Sequence, residues 1–201
     1  MSDPQPPALP HQSPRSKSPP NLKVTSLIIL ALVLVGLPIG LRVLGLIRPF
    51  SVPTGAMAPA VSAGDHVFAE GITYLLRKPK RGDIAVFRTE GIALLPSTIY
   101  VKRIIGEPGD QVELAGGSLF INGTKTTLTN VYGQINYELP PLPQTVTART
   151  NIVVPEQSYF VLGDNSTNSF DSRFFGVVPA KNIIGRVAVC YWPLTRVGKI
   201  Q

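Results

Sequence analysis

The chain has 201 residues, room for one domain of ordinary size with appendages and too little for two large cores. Hydrophobic residues make up 44% and charged ones only 15%, while 20 prolines and 18 glycines break the sequence into short runs, which favours a turn-rich β domain over helices. The net charge of +7 comes without a recognition helix, zinc-ligand spacing or an aromatic-and-basic RNA-binding signature, so the reading is no nucleic acid but attraction to membrane lipid; Cys190, the single cysteine, excludes an internal disulfide and a cysteine metal cluster.

Residues 1–22 are rich in proline and serine and are expected to form a disordered tail, because such a composition buries too little apolar surface to offset chain entropy. From Val24 to Leu41 the sequence VTSLIILALVLVGLPIGL carries no charge, and apolar character resumes after Arg42 through Ile47. A helix of about 20 residues spans the hydrocarbon core, so residues 23–47 are predicted to be a single transmembrane anchor. It is read as retained, since it ends in Arg42 and Arg48 and not in a small-residue cleavage site. Pro38 is expected to kink or weaken it near its distal end. Arg15, Lys17 and Lys23 before the span, against Arg42 and Arg48 after it, lean only slightly towards a cytoplasmic N-terminus.

Beyond Pro49 come short apolar runs bounded by turn signals: HVFAEGITYLL, DIAVF, TIYVKRII, QVEL, SLFING, SYFVLGD and IIGRVAVCYW. Asn122-Gly123 is a hairpin signal, and Glu107-Pro108-Gly109-Asp110 and Gly116-Gly117 are turns that separate antiparallel strands. The expected fold is mainly β, a single N-terminal transmembrane helix followed over residues 48–201 by a partly closed antiparallel β domain without helices of note. Val131 to Pro143, with three prolines at its end, is expected to be an irregular surface loop.

Four segments carry a pattern that none carries alone: FSVPTGAMAP at 50–59, RGDIAVF at 81–87, YVKRIIGEPGD at 100–110 and GDNSTNSFDSRFFGVVP at 163–179. In order, spacing and content they resemble the boxes of bacterial type I signal peptidases, and the resemblance runs from Phe50 to Trp192. It implies a serine and lysine dyad endopeptidase that removes signal peptides from exported precursor proteins after small residues, with no metal and no cofactor. It also implies a place in the cytoplasmic membrane with the N-terminus inside and the β domain on the outer face. The partners implied are signal peptides, membrane lipid and the export machinery.

Lys102 fits a general base on its own chemistry: within TIYVKRII it sits among apolar neighbours, and burial disfavours the ammonium and lowers its pKa towards working pH. By resemblance, the Ser169 hydroxyl hydrogen-bonds that amine and orients it. Asp171 with Arg173, and Asp164 with Arg103, match ion pairs that steady the loop beneath the site. Phe50, Val52, Tyr100 and Val101 match the lining of the substrate pockets, although core packing explains the same side chains equally well.

One box departs from the family. Where it reads Pro-Ser-x-Ser-Met-x-Pro-Thr, this chain reads Pro53-Thr54-Gly55-Ala56-Met57-Ala58-Pro59-Ala60, and Ala56 stands at the nucleophile position. A methyl group cannot attack a carbonyl. Three accounts are open. Thr54, at the position that helps hold the oxyanion, is a substitute nucleophile; or the chain is a natural relative that binds signal peptides without cutting them; or a serine has been replaced by design. Against the first, residues two apart in an extended segment lie roughly 6.5–7 Å apart, and recruiting Thr54 sacrifices a donor worth about 100-fold to 1000-fold in rate. Ala60, a second departure in the same box, favours natural divergence.

Overall fold

The computed structural model describes residues 21–130, 132–139 and 148–200; the expected tail, apart from its last two residues, lies outside them. The apolar run forms α1 (Leu22–Ala31), a π-helical stretch (Leu32–Gly36) and α2 (Leu37–Val43), one continuous helix long and apolar enough to cross a membrane. Asn21 caps it, its side chain accepting from the Lys23 N–H at 3.2 Å. The π stretch has a local cause. Pro38 offers no N–H to the Leu34 carbonyl and crowds it, and just before it the ladder slips by one residue, so that the Leu37 N–H donates to the Leu32 carbonyl. The helix stops short of the predicted Ile47 in a Schellman cap: Gly45 takes φ +69°, Gly45 N–H donates to Arg42 O at 2.9 Å and Leu46 N–H to Leu41 O at 2.8 Å.

The remainder is mainly β, as expected. Its elements are β1 (Ile47–Ser51), β2 (His66–Glu70), α3 (Ile72–Leu76), β3 (Ile84–Arg88), β4 (Ile99–Gly106), β5 (Gln111–Ala115), β6 (Ser118–Ile121), β7 (Thr124–Thr126), β8 (Leu128–Asn130), β9 (Gly133–Ile135), β10 (Asn151–Val153), β11 (Ser158–Leu162), α4 (Ser172–Phe175), β12 (Val178–Pro179), β13 (Ile183–Trp192) and β14 (Gly198–Lys199). The main sheet runs β1-β2-β13-β3-β4-β11-β12 with β14 beside β13, every pairing antiparallel. A second sheet runs β10-β5-β6-β7, and β8 pairs with β9.

Two local expectations are corrected. HVFAEGITYLL is not one strand: the Glu70 carboxylate accepts from the Thr73 N–H at 2.8 Å and its hydroxyl at 2.7 Å, and this cap turns ITYLL into α3. The stretch from Val131 is not wholly irregular: Gly133–Ile135 is a strand, and Ile135 and Tyr137 are buried in the core of the second sheet. Val131 and residues 140–143 lie outside the described residues. The hairpin at Asn122-Gly123 forms with φ +52° and +77°, the signs a type I′ turn needs.

Strand alternation puts β3 between two cores. Ile84 and Val86 pack with Val52, Met57, Val61 and Val67, whereas Ala85 and Phe87 pack with Ile104, Tyr159, Val161 and Phe175. Gly185 in β13 permits a close approach: a Cβ there would lie 2.7 Å from the Glu70 carbonyl oxygen in β2. Gly185→Ala is therefore expected to destabilise the domain by about 1–3 kcal/mol, read as a lower urea midpoint with an unchanged slope.

Candidate active site

The box around position 56 begins where β1 ends. The backbone bends at Thr54 and Gly55, and the Ala58 N–H closes a turn on the Gly55 carbonyl at 3.0 Å. Thr54 is consequently exposed and Ala56 buried. The segment relating the two residues is thus bent and not extended, and they differ in burial although both line one groove. The turn is fastened from far along the chain: Asn165 donates its backbone N–H to Ala56 O and its side-chain amide to Gly55 O, both at 3.1 Å.

A groove of about 550 Å³ opens beside this turn, and Phe50, Val52, Thr54, Ala56, Tyr100, Val101 and Lys102 all line it. β1 supplies Phe50, and β4 supplies Tyr100, Val101 and Lys102. Lys102 is 5% exposed. Its amine lies 5.5 Å from the centre of the Tyr100 ring, and no ion pair among the described residues includes it. Ala85 sits directly across the ladder, a side chain small enough to leave the lysine room. Burial pulls the Lys102 pKa down from 10.5 to about 8, with the Asp171 carboxylate opposing the shift and the Arg173 guanidinium reinforcing it.

Beneath the groove lies a buried ionic layer. Arg103 clasps Asp164 through two hydrogen bonds of 2.8 and 2.7 Å, and its remaining nitrogen donates to Gly82 O at 2.8 Å. Arg173, fully buried, holds Asp171 through two bonds of 2.8 Å and donates to Ser166 O at 2.6 Å and Glu138 O at 2.7 Å. Asp171 in turn caps α4 and accepts from the Gly163 N–H at 3.1 Å. Every charge in the layer is met by opposite charge or a backbone dipole, the condition under which buried ions are tolerated.

Ser169 does not line the groove, though Asn168 and Phe170 on either side of it do. Its Oγ is buried and makes no hydrogen bond, so the serine-to-lysine bond implied by the resemblance is not formed in this structure. Three further residues matter that the sequence reading did not single out. Gly163 is required because a Cβ there would overlap Ser169 Oγ and the Ala56 carbonyl oxygen; its signal was its place at the head of the GDN box. Asn165 was visible in the same box. The Glu138 contribution is a backbone carbonyl and leaves no mark in residue identity.

The comparisons with known proteins agree with this arrangement. The family model described as signal peptidase, peptidase S26, matches residues 22–192. The chain is 38% identical over 159 residues to a probable thylakoidal processing peptidase 2 of Arabidopsis thaliana, covering 77% of this chain and 41% of that protein. It is 37% identical over 153 residues to a signal peptidase I of Leptolyngbya laminosa, covering 74% of this chain and 70% of that one. It is 31% identical to signal peptidase IB of Staphylococcus aureus over 160 residues, 75% of this chain and 80% of that protein. The matched stretch therefore spans less than half the length of the plant protein and most of the length of the bacterial ones. With three of the four boxes contributing residues to one groove and a family model covering the helix and the β domain alike, the chain belongs to the signal peptidase family, peptidase S26.

Proposed function

We propose that the chain is a membrane-anchored endopeptidase that removes signal peptides from exported precursors, with Lys102 as its general base. The observation that supports this reading is Lys102 itself. An amine buried without an acidic partner destabilises a fold, and chemistry that needs a base near working pH accounts for its place at the groove. Phe50, Val52, Tyr100 and Val101 receive the small residues before the cleavage point. The Thr54 hydroxyl and the backbone amide of position 56 hold the oxyanion, and the pairs Arg103–Asp164 and Asp171–Arg173 keep the lining in place. The helix Leu22–Val43 serves as the anchor, with the N-terminus in the cytoplasm, the β domain on the outer face, and lipid and export machinery as its surroundings.

A second reading is favoured by one observation, the buried Ala56 methyl where a hydroxyl belongs: a receptor that holds signal peptides without cutting them. Incubating a precursor that has small residues before its cleavage site with the detergent-solubilised chain and with Ala56→Ser separates the two. Slow cleavage by the chain, with a gain of at least roughly 1,000-fold in Ala56→Ser, supports the peptidase. Crosslinked precursor that is retained uncut, beside cleavage by Ala56→Ser, establishes the receptor. If Ala56→Ser neither holds nor cuts the precursor, both readings fail.

A further inference from the structure

The point where the chain leaves its apolar helix is tied to a second apolar surface. Leu46, directly after the Schellman glycine, accepts from the Gly71 N–H at 2.8 Å, and Ile47 pairs with Glu70. α3 starts at the next residue, Ile72, and its five residues cover about 7.5 Å. Leu75 and Leu76 at its far end therefore stand within about 10 Å of Gly71, a distance of the same order as the thickness of a headgroup layer. They are 71% and 84% exposed, and no residue of α3 is buried. Val43 and Leu44, at the end of the apolar helix, are exposed as well. A lone exposed leucine is ordinary on a domain surface, but two adjacent ones beside the end of an apolar helix that is itself uncovered form a patch that needs a partner.

The residues after Leu76 point to what covers it. The sequence continues Arg77-Lys78-Pro79-Lys80-Arg81. Arg77 is held by Asp83 at 2.7 Å and Arg81 by Asp110 at 2.6 Å. Lys78, Lys80 and Arg42, in the last turn of α2, are exposed and enter no ion pair among the described residues. The groove that Leu75, Leu76 and Lys78 border is lined by a single acidic side chain, Glu156, so positive charge prevails around the leucines. Leucines beside long ammonium side chains suit a bilayer interface, where the apolar groups reach the acyl boundary and the ammonium groups stay among phosphates. We propose that α3 is a second membrane contact of the chain, with Leu75 and Leu76 entering the interface and Lys78 and Lys80 held by the phosphate groups of acidic lipids. This rests on the reading of Leu22–Val43 as the anchor. Attachment at two points keeps the β domain against the surface at which precursors emerge, and it makes that attachment depend on lipid charge and ionic strength.

The test measures the depth of α3 in lipid. The full chain carries a fluorescent dye on Leu76→Cys or, as a marker of the anchor, on Leu30→Cys, the native Cys190 being buried. Each protein is reconstituted into vesicles of phosphatidylcholine alone or mixed with phosphatidylglycerol, with a quencher borne by lipid either at the headgroup boundary or deep in the acyl chains. The dye at position 76 is expected to be quenched from the boundary in the acidic vesicles. Lys78→Gln together with Lys80→Gln is expected to lower the ratio of docked to undocked domain about 25-fold, about 5-fold for each lysine, and high salt to weaken docking in the same direction. A dye at position 76 that stays in water while the dye at position 30 is quenched from the deep site overturns the proposal and leaves the anchor standing. A dye at position 30 that stays in water removes the anchor and the proposal with it. Quenching at position 76 that is equal in neutral and acidic vesicles and indifferent to the lysines overturns the assignment to acidic lipid. Shielding of that dye from iodide in water, without quenching by lipid, overturns the proposal in favour of a second copy of the chain.

Discussion

Lys102→Met is expected to abolish cleavage and, at neutral pH, to make the protein more stable. The folded state holds this pKa near 8 against 10.5 for an unburied lysine, so below pH 8 the fold must keep a desolvated ammonium, at a cost of about 3 kcal/mol. The sign of the pH dependence follows. Between pH 8 and 10.5 the unfolded chain binds more protons at this position than the folded one, so Lys102 makes stability rise with pH across that window. Methionine fills similar space with neither charge nor titration. Urea unfolding of both proteins at pH 7 and pH 10.5 therefore gives a difference in favour of Lys102→Met at the lower pH that closes by the higher one. A difference independent of pH would mean that the amine is hydrated in the folded state and unsuited to the role of base.

Arg173→Met is expected to lower stability by about 3–5 kcal/mol, the usual result of removing one partner of a buried ion pair. The change strands the fully buried Asp171 carboxylate, removes the guanidinium donor from the Ser166 carbonyl and leaves the Glu138 carbonyl with the Ser166 hydroxyl as its donor. At roughly 2–4 °C per kcal/mol for a chain of this size, the melting temperature falls by about 6–20 °C. Arg77→Met is the control: Arg77 also meets a carboxylate at 2.7 Å, but its side chain is 33% exposed, and the loss there is expected to be about 1 kcal/mol or less. Equal losses from the two changes would remove the special standing given to the buried layer. Asp171→Asn adds a functional reading, since Asp171 raises the Lys102 pKa, and its removal is expected to move the rise of activity with pH to lower values.

Elements with a strong local cause were legible in the sequence. The apolar helix followed from an unbroken uncharged run, and the hairpins followed from Asn122-Gly123 and Gly116-Gly117, whose positive φ values only a few residue types adopt readily. Lys102 was legible because an amine within TIYVKRII has apolar neighbours whichever way the strand faces. What escaped notice depends on pairing between distant residues. α3 forms because the Glu70 carboxylate turns back on Thr73, and a strand reading of HVFAEGITYLL has no way to register that bond. In β9 only Ile135 is buried, by residues of another sheet, in spite of an unpromising local sequence. The bend between Thr54 and Ala56 likewise involves bonds from Asn165 to Gly55 and Ala56, a distant contact that the box itself does not display.

That last contact carries a consequence for the order of events during folding. Asn165 reaches across 110 positions of the chain to fasten the turn at Gly55. The Asp164 clasp on Arg103 spans 61 positions and belongs to the same loop. Loops of this length close late, after the entropy of bringing their ends together has been offset by nearer contacts. A chain emerging from the ribosome would carry its apolar helix and its first strands long before Gly163–Arg173 arrives to shape the cleft, and until then the groove would be incomplete. The groove is therefore completed by a late closure and not by the strands that form first.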